Sequence, residues 1–415
     1  KEGQRGRLRR WLYGMRQAAS AWERDYSEKL VAMAFEKRRA APTVFLWKSK
    51  VVRFVVHGDD FTFTGKRADL LTIKSKMEES YELKMRAMLG DDFGDDREIT
   101  ILNRRIVWEE GCLHYEADTK HVSEILKYFS LNDESKSLVV PFVRETREEL
   151  TKEDEELSAA VATEFRGLAA RANYLSLDRV DIQYATKEIC RDMAVPKASS
   201  MSKMKRLARY LLGSPRQVIM FQPCYEEFPE MLVYSDSDWA GCLRTRKSTS
   251  GGVLTFQGGI LKTWSSTQAS IAQSSGEAEY YALVRAASEA LGMQSIMRDL
   301  GWYCKIRLLV DSSAAKSIAS RTGLGKLRHL EIKFLWLQEC VRRGKVVLSK
   351  VRGDINPADV LTKPKSLEDM RLLLNFSCLN WCDGRVPDNH YSGNRIEFVN
   401  SVVGRNRCGY SSCGF

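Results

Sequence analysis

Met15, Ala18, Ala19, Trp22, Tyr26, Leu30 and Met33 recur at steps of three and four, so residues 14–35 are predicted to form a helix with one buried face. The period then shortens to two. Strands are predicted at 44–47 and 51–56; HGDD interrupts, and Phe61, Thr62, Phe63 and Thr64 alternate again, which places a β-hairpin here with two adjacent aspartates at its tip. Residues 68–90 read as helix, 99–108 and 112–116 as a hairpin, and 119–130 as a short helix. The run 132–156 is charged, contains Pro141 and has weak periodicity, so it is the predicted linker. Helices follow at 157–178, 181–194 and 199–213, the last closed by Gly213, Ser214 and Pro215. Beyond Met231 the expected order is strands 231–237, 250–257 and 260–266, helix 277–299, strand 306–310, helices 312–320 and 326–343, strand 345–351 and a helix from Pro357. Three strands and then alternating helices and strands make an α/β sheet with covered faces.

The chain has 415 residues, of which 44% are hydrophobic, enough for about two to four domains with cores of their own and too many for a disordered or collagen-like chain. Ten scattered cysteines form no framework, which favours a reducing compartment. No run approaches the roughly eighteen apolar residues of a membrane helix, and KEGQRGRLRR lacks the apolar core of a signal peptide. A soluble, intracellular protein with no membrane contact is expected. The opening lacks Met and does not read as a domain start, so the chain is expected to be a piece of something longer.

Charge divides the chain. Residues 1–53 hold 14 basic and 5 acidic side chains, a net +9, and residues 231–365 hold 20 and 11, again +9. The overall charge is only +11, so an acidic middle separates two basic blocks. Two polyanion contacts, or a solvated basic surface on each block, account for this equally.

Within the second basic block, four carboxylates end or begin otherwise apolar elements: Asp236, Glu279, Asp311 and Asp359. Gathered without cations they would repel one another and raise one another's pKa values, so their convergence makes most sense around divalent metal. Two hard cations about 4 Å apart activate a water and stabilise the leaving oxygen of a phosphodiester cleavage. Glu277 and Asp238 are near neighbours that compete for these roles, and any single acid here is as readily a capping or solvated group.

These residues carry a resemblance. YSDSDWAG (234–241), RKSTSGG (246–252), SSGEAEYYAL (274–283), VDSSAA (310–315) and NPADVLTK (356–363) are similar to the RNase H motifs of copia-type LTR retrotransposon Pol polyproteins. The resemblance implies an RNase H-like α/β domain with a mixed five-stranded sheet, Asp236, Glu279, Asp311 and Asp359 as metal-binding catalytic residues, two Mg²⁺ or Mn²⁺ ions, and cutting of the RNA strand of RNA·DNA hybrids. It also points to Arg246, Lys247 and Ser248 as nucleic-acid contacts. His329 matches a family histidine with a place in proton transfer or product release, although a helix histidine facing solvent is the simpler expectation; a second histidine of the family is replaced by Leu335.

GRLRRWLYGMRQAASAW (6–22) and VVHGDDFTFTG (55–65) resemble the palm of the same polyprotein's reverse transcriptase. That likeness implies Asp59 and Asp60 as two of three polymerase aspartates holding Mg²⁺, and Gln17 near template and primer. His57-Gly58 replaces the usual tyrosine and aliphatic pair, Ala19 replaces a proline, and the third aspartate has no counterpart in these 415 residues. The purified chain is therefore expected not to extend a primer in Mg²⁺; measurable extension would sink that expectation. Residues 167–196 and 203–214 resemble the family's helical connection, where Lys205, Arg206 and Arg209 offer a backbone clamp or a solvated basic face.

The expected domains are an incomplete palm and thumb-like region at 1–131, a linker at 132–156, the connection at 157–230, RNase H at 231–365 and a poorly ordered tail at 366–415. In that tail Cys378, Cys382, His390, Cys408 and Cys413 are too loosely spaced for a zinc site. Expected partners are RNA·DNA hybrid, template-primer nucleic acid and other segments of the parent polyprotein, in a cytoplasmic particle or the nucleus. A catalytically inactive remnant that binds nucleic acid is the alternative. An integrase-like transferase is disfavoured by the fourth acid and the palm-like block.

Overall fold

A computed structural model describes residues 11–12, 14–222, 229–325, 327–375, 379–382 and 396–400, the last two stretches by backbone alone. The chain forms two compact units. One comprises Lys1–Asp96, Ser295–Trp302 and Ser392–Phe415; the other comprises Arg97–Gln294 and Tyr303–Tyr391. The division falls after Asp96, inside the span expected to form the first domain.

In the first unit, helix Arg16–Ala32 buries Tyr26 and Leu30 and half-buries Ala18 and Trp22 of the stripe that the three-and-four spacing predicts, whereas Met15 and Ala19 at its start are exposed. Strands Val44–Trp47, Val52–His57 and Asp60–Gly65 form an antiparallel meander, joined on one side by Glu36–Lys37. Phe54 and Phe63 stack with ring centroids 4.1 Å apart in its core. The helix predicted over 68–90 ends much earlier, as Arg67–Glu78, and Met85–Leu89 is an edge strand. That strand pairs in parallel with Ile396–Asn400, which also pairs with Asp60–Gly65. The partner is so remote in sequence that local periodicity carries no trace of it.

In the second unit, an antiparallel sheet runs Leu379–Cys382, Arg216–Phe221, Cys112–Glu116, Arg104–Glu109 and Glu98–Ile101. The single strand predicted at 99–108 is broken into two because Leu102 and Asn103 both take positive φ, +48° and +66°. Strand Arg216–Phe221 falls where no element is predicted. Helices Lys120–Tyr128, Ala159–Leu175, Gln183–Cys190 and Ala198–Gly213 share one apolar core that includes Phe165, Ile189 and Leu207.

The second sheet of this unit is mixed and five-stranded, in the order Gly259–Thr267, Thr249–Phe256, Glu230–Asp238, Lys305–Val310 and Val347–Lys350. The first three strands are antiparallel neighbours and the last two pairings are parallel, as the expected α/β class requires. Long helix Ser275–Asp299 and short helix Ser313–Ser320 lie where the sequence puts them. The helix predicted at 326–343 is shorter, a 3₁₀ turn Ile332–Leu335 running into Trp336–Arg342. A 3₁₀ segment, Pro357–Leu361, stands where a helix is expected, its Asn356 side chain accepting the Ala358 N–H at 3.2 Å. Beyond it, helix Leu367–Asn375 buries Met370, Leu373 and Leu374, so the segment expected to be poorly ordered opens with a packed helix. Among the described residues no helix is long and apolar enough to cross a membrane.

Candidate active site

Asp236 stands near the end of the central strand Glu230–Asp238, directly opposite Gly251. A side chain at 251 would have no room: a Cβ there would lie 2.7 Å from Thr362 Cγ2 and 2.8 Å from the Ala358 carbonyl oxygen. Glycine thus lets the 3₁₀ segment Pro357–Leu361 lie against the strand and brings Thr362 onto Asp236, whose Oδ2 accepts the Thr362 hydroxyl. Asn356 completes the seam by donating to the Ser235 carbonyl at 3.0 Å. Glu279 rises from the first turns of Ser275–Asp299, and its Oε1 accepts the Ser237 N–H at 3.3 Å. Asp311 follows strand Lys305–Val310.

Asp236, Glu279 and Asp311 offer carboxylate oxygens that all lie within 4.8 Å of one another. Asp236 and Glu279 are 5% and 8% exposed, and Asp311 is half-buried. Burial first, and then Asp359 and Asp311, push the Asp236 carboxyl up to about 7. Burial, aided by Asp236 and Asp311, pushes Glu279 up to about 9, and burial followed by Asp359 raises Asp311. Glu279 Oε2 is buried with no hydrogen-bond partner. An ionised carboxylate oxygen in that position is costly unless a cation faces it, and three hard oxygens at this spacing suit Mg²⁺ or Mn²⁺.

Asp359 is close enough to bear on Asp236 and Asp311, yet it stands outside this triad, with Lys363 Nζ 2.5 Å from its Oδ1 and Lys365 on its Oδ2. The two competing acids are engaged elsewhere. Glu277 is buried and accepts from Tyr281 Oη at 2.6 Å and Gln273 N at 3.1 Å, with His329 Nε2 at 2.9 Å. Asp238 accepts the Thr249 N–H and faces Arg144. His329 is exposed, as expected, but it belongs to a turn rather than a helix, and its Nε2 lies 2.9 Å from Glu277.

The RKSTSGG residues divide. Arg246 is exposed at positive φ and Lys247 is half-buried, but Ser248 is fully buried and its Oγ accepts the Ala240 N–H at 2.9 Å, so it supports the strand end and is not available as an outward contact. On helix Ala198–Gly213, Lys205 is exposed, Arg206 is half-buried, and Arg209 donates to the Lys136 carbonyl at 2.8 Å. Sequence reasoning missed Thr362, Lys363, Lys365 and Asn356 as neighbours of the acids, although all but Lys365 lie inside NPADVLTK. It also missed Gln268, whose Nε2 sits within hydrogen-bond distance of Ser237 Oγ and the Ala278 carbonyl and so ties the Asp236 strand to the Glu279 helix.

In the first unit the hairpin turn is made by Gly58 and Asp59, with His57 opposite Asp60. Gly58 has φ +62° and its carbonyl accepts Trp22 Nε1–H at 2.9 Å. Asp59 is exposed, while burial raises Asp60 against the pull of Arg86. Asp59 lines a 260 Å³ cavity with Trp22, Phe61, Tyr81 and residues 82–84. Gln17 is exposed on helix Arg16–Ala32. The side chains of the tail cysteines and His390 lie outside the described residues.

No family model matches the chain. It is 25% identical over 379 residues to the retrovirus-related Pol polyprotein from transposon TNT 1-94 of Nicotiana tabacum, covering 86% of this chain and 27% of that one. It is likewise 25% identical to the Pol polyprotein from transposon RE1 of Arabidopsis thaliana, covering 87% and 24%. Among solved structures, LC11-RNase H1, isolated from compost, superposes with a TM-score of 0.26 at 20% identity, over 32% of this chain and 92% of that one. The chain spans about a quarter of the length of the two polyproteins. With matches that cover 86–87% of the chain, its relatives are Pol polyproteins of copia-type retrotransposons.

Proposed function

We propose that the second unit cuts the RNA strand of RNA·DNA hybrids in a divalent-metal-dependent reaction. The observation that carries this reading is the convergence of carboxylate oxygens from Asp236, Glu279 and Asp311, together with a buried Glu279 Oε2 that has no hydrogen-bond partner. Asp236, Glu279 and Asp311 would hold Mg²⁺ or Mn²⁺, with Asp359 at the margin. When bound, such ions supply an activated water and neutralise charge on the scissile phosphate. Thr362 and Ser237 fix the rotamers of Asp236 and Glu279 before any ion arrives, and burial keeps bulk water from competing for their oxygens. In the first unit, Asp59 and Asp60 sit at a hairpin tip narrow enough to approach metal-bound phosphates, the polymerase part of the same reading.

The test is Mg²⁺-dependent cutting of a labelled hybrid by the chain, by Glu279→Gln and by Asp311→Asn. The wild type is expected to cut, and each variant to lose at least about a hundredfold, the scale of a lost charge-stabilising group; equal activity in all three refutes the site. The pairing of Asp359 with two lysines favours a second reading, a remnant that binds hybrid without cutting it. Salt-sensitive hybrid binding with no cleavage in Mg²⁺ or Mn²⁺ selects that one.

A further inference from the structure

We infer that Lys363 and Lys365 act as a built-in cation on the fourth acid, so that the cluster takes one divalent ion directly and a second only as these ammonium groups leave Asp359. The inference rests on the metal reading above. Its basis is an asymmetry: three acids present oxygens to a common point, while both oxygens of Asp359 are already occupied, Oδ1 by Lys363 and Oδ2 by Lys365. The lone pairs that face an ammonium are the ones a hard cation needs, so the two compete for them. Four clustered carboxylates also need positive charge from somewhere, and these lysines supply it.

The two lysines differ in freedom. Lys365 is 18% exposed, whereas Lys363 is 45% exposed and loses less burial on swinging into water. Lys363 also faces Asp236 and Asp311 electrostatically; partial burial works against its charge, but the bond to Asp359 and these neighbours hold it protonated above its ordinary range. Its ammonium therefore bears on the whole cluster. A first ion at Asp236, Glu279 and Asp311 leaves this arrangement standing, and a second displaces it.

Mn²⁺ alone, titrated into the full chain and followed by the electron paramagnetic resonance of free Mn²⁺, tests this. The expected wild-type result is one tight ion and one weaker by at least about tenfold, a common size for coupling between sites. Lys363→Gln and Lys365→Gln, which still donate a hydrogen bond to Asp359 and so spare the fold, are expected to tighten the second ion by about fivefold or more while the first stays within about twofold. Lys363→Arg keeps the charge and is expected to leave the second ion weak. An unchanged second ion in both glutamine variants, beside a first ion that Asp311→Asn abolishes, overturns the lysine proposal and leaves the metal reading intact. No Mn²⁺ bound by the wild type overturns the metal reading, and the proposal with it.

Discussion

At the scale of the residue, Glu279 and Asp236 are carboxylates placed where water cannot screen them. Their folded pKa values, about 9 and about 7, lie above their ordinary values of 4.5 and 3.8, so the folded chain binds protons that the unfolded chain releases. The stability these protons confer is fully present below the ordinary carboxylate range and is lost as pH rises through about 7 and then about 9. Without divalent metal, the melting temperature is therefore expected to fall between pH 5 and pH 9. On the proposed metal reading, metal must displace the same protons, so Mg²⁺ binding is expected to strengthen over that interval and to restore the lost stability. Melting curves with and without Mg²⁺ check both, and Glu279→Gln is expected to flatten the metal-free slope; a flat wild-type curve would count against buried, protonated acids. Thr362→Val leaves the buried Asp236 Oδ2 without its hydroxyl donor and is expected to cost about 1–3 kcal/mol in chemical denaturation.

At the scale of the element, the site depends on how closely a 3₁₀ segment lies against a strand. Gly251→Ala puts a methyl 2.7–2.8 Å from Thr362 and Ala358, and Gly252→Ala puts one 1.9 Å from Trp264 Cζ2. Overpacking of this kind costs about 1–3 kcal/mol, with Gly252→Ala the more severe because an indole cannot yield as a methyl can. Chemical denaturation ranks the two, and a Gly251→Ala variant as stable as the wild type would show that the segment moves freely. Arg179 and Asp181 are a second such joint: the buried guanidinium donates to both carboxylate oxygens and to the carbonyls of residues 214 and 215, so Arg179→Met, which strands Asp181, is expected to cost about 3–5 kcal/mol. Much of this architecture was legible beforehand. The three antiparallel strands, the long helix and the strand that ends at Asp311 carry their own period and punctuation. What escaped were elements whose reason lies far away in sequence, such as Met85–Leu89 beside Ile396–Asn400, and the lysines on Asp359, since Lys363 and Lys365 look like any solvated basic pair until the fold sets both ammonium groups on that carboxylate.

At the scale of the whole molecule, the basic helix Ala198–Gly213, which lies in the acidic middle between the two basic blocks, keeps only part of its charge exposed. Lys203 is tied to Asp192 and Glu145, Arg209 to a carbonyl, and Arg206 is half-buried, so the exposed Lys205 is the side chain of this helix best placed to meet a phosphate. Hybrid binding is expected to fall linearly with the logarithm of salt concentration, and Lys205→Ala to reduce that slope by about 1, whereas Arg209→Ala leaves it unchanged. Filter binding across a salt series measures both, and identical slopes in all three chains would remove this helix from the nucleic-acid surface. The acids themselves are assembled from points spread along the chain, and Asp359, Thr362, Lys363 and Lys365 come last. Synthesis releases domains from their amino-terminal side. On a translating ribosome, the strands of Asp236 and Asp311 and the helix of Glu279 emerge first, with Asp236 lacking its hydroxyl donor. Translation itself thus sets the order in which the site matures: until the NPADVLTK stretch leaves the exit tunnel, a nascent polypeptide carries Asp236, Glu279 and Asp311 without Asp359 and without the hydroxyl that holds Asp236 in place.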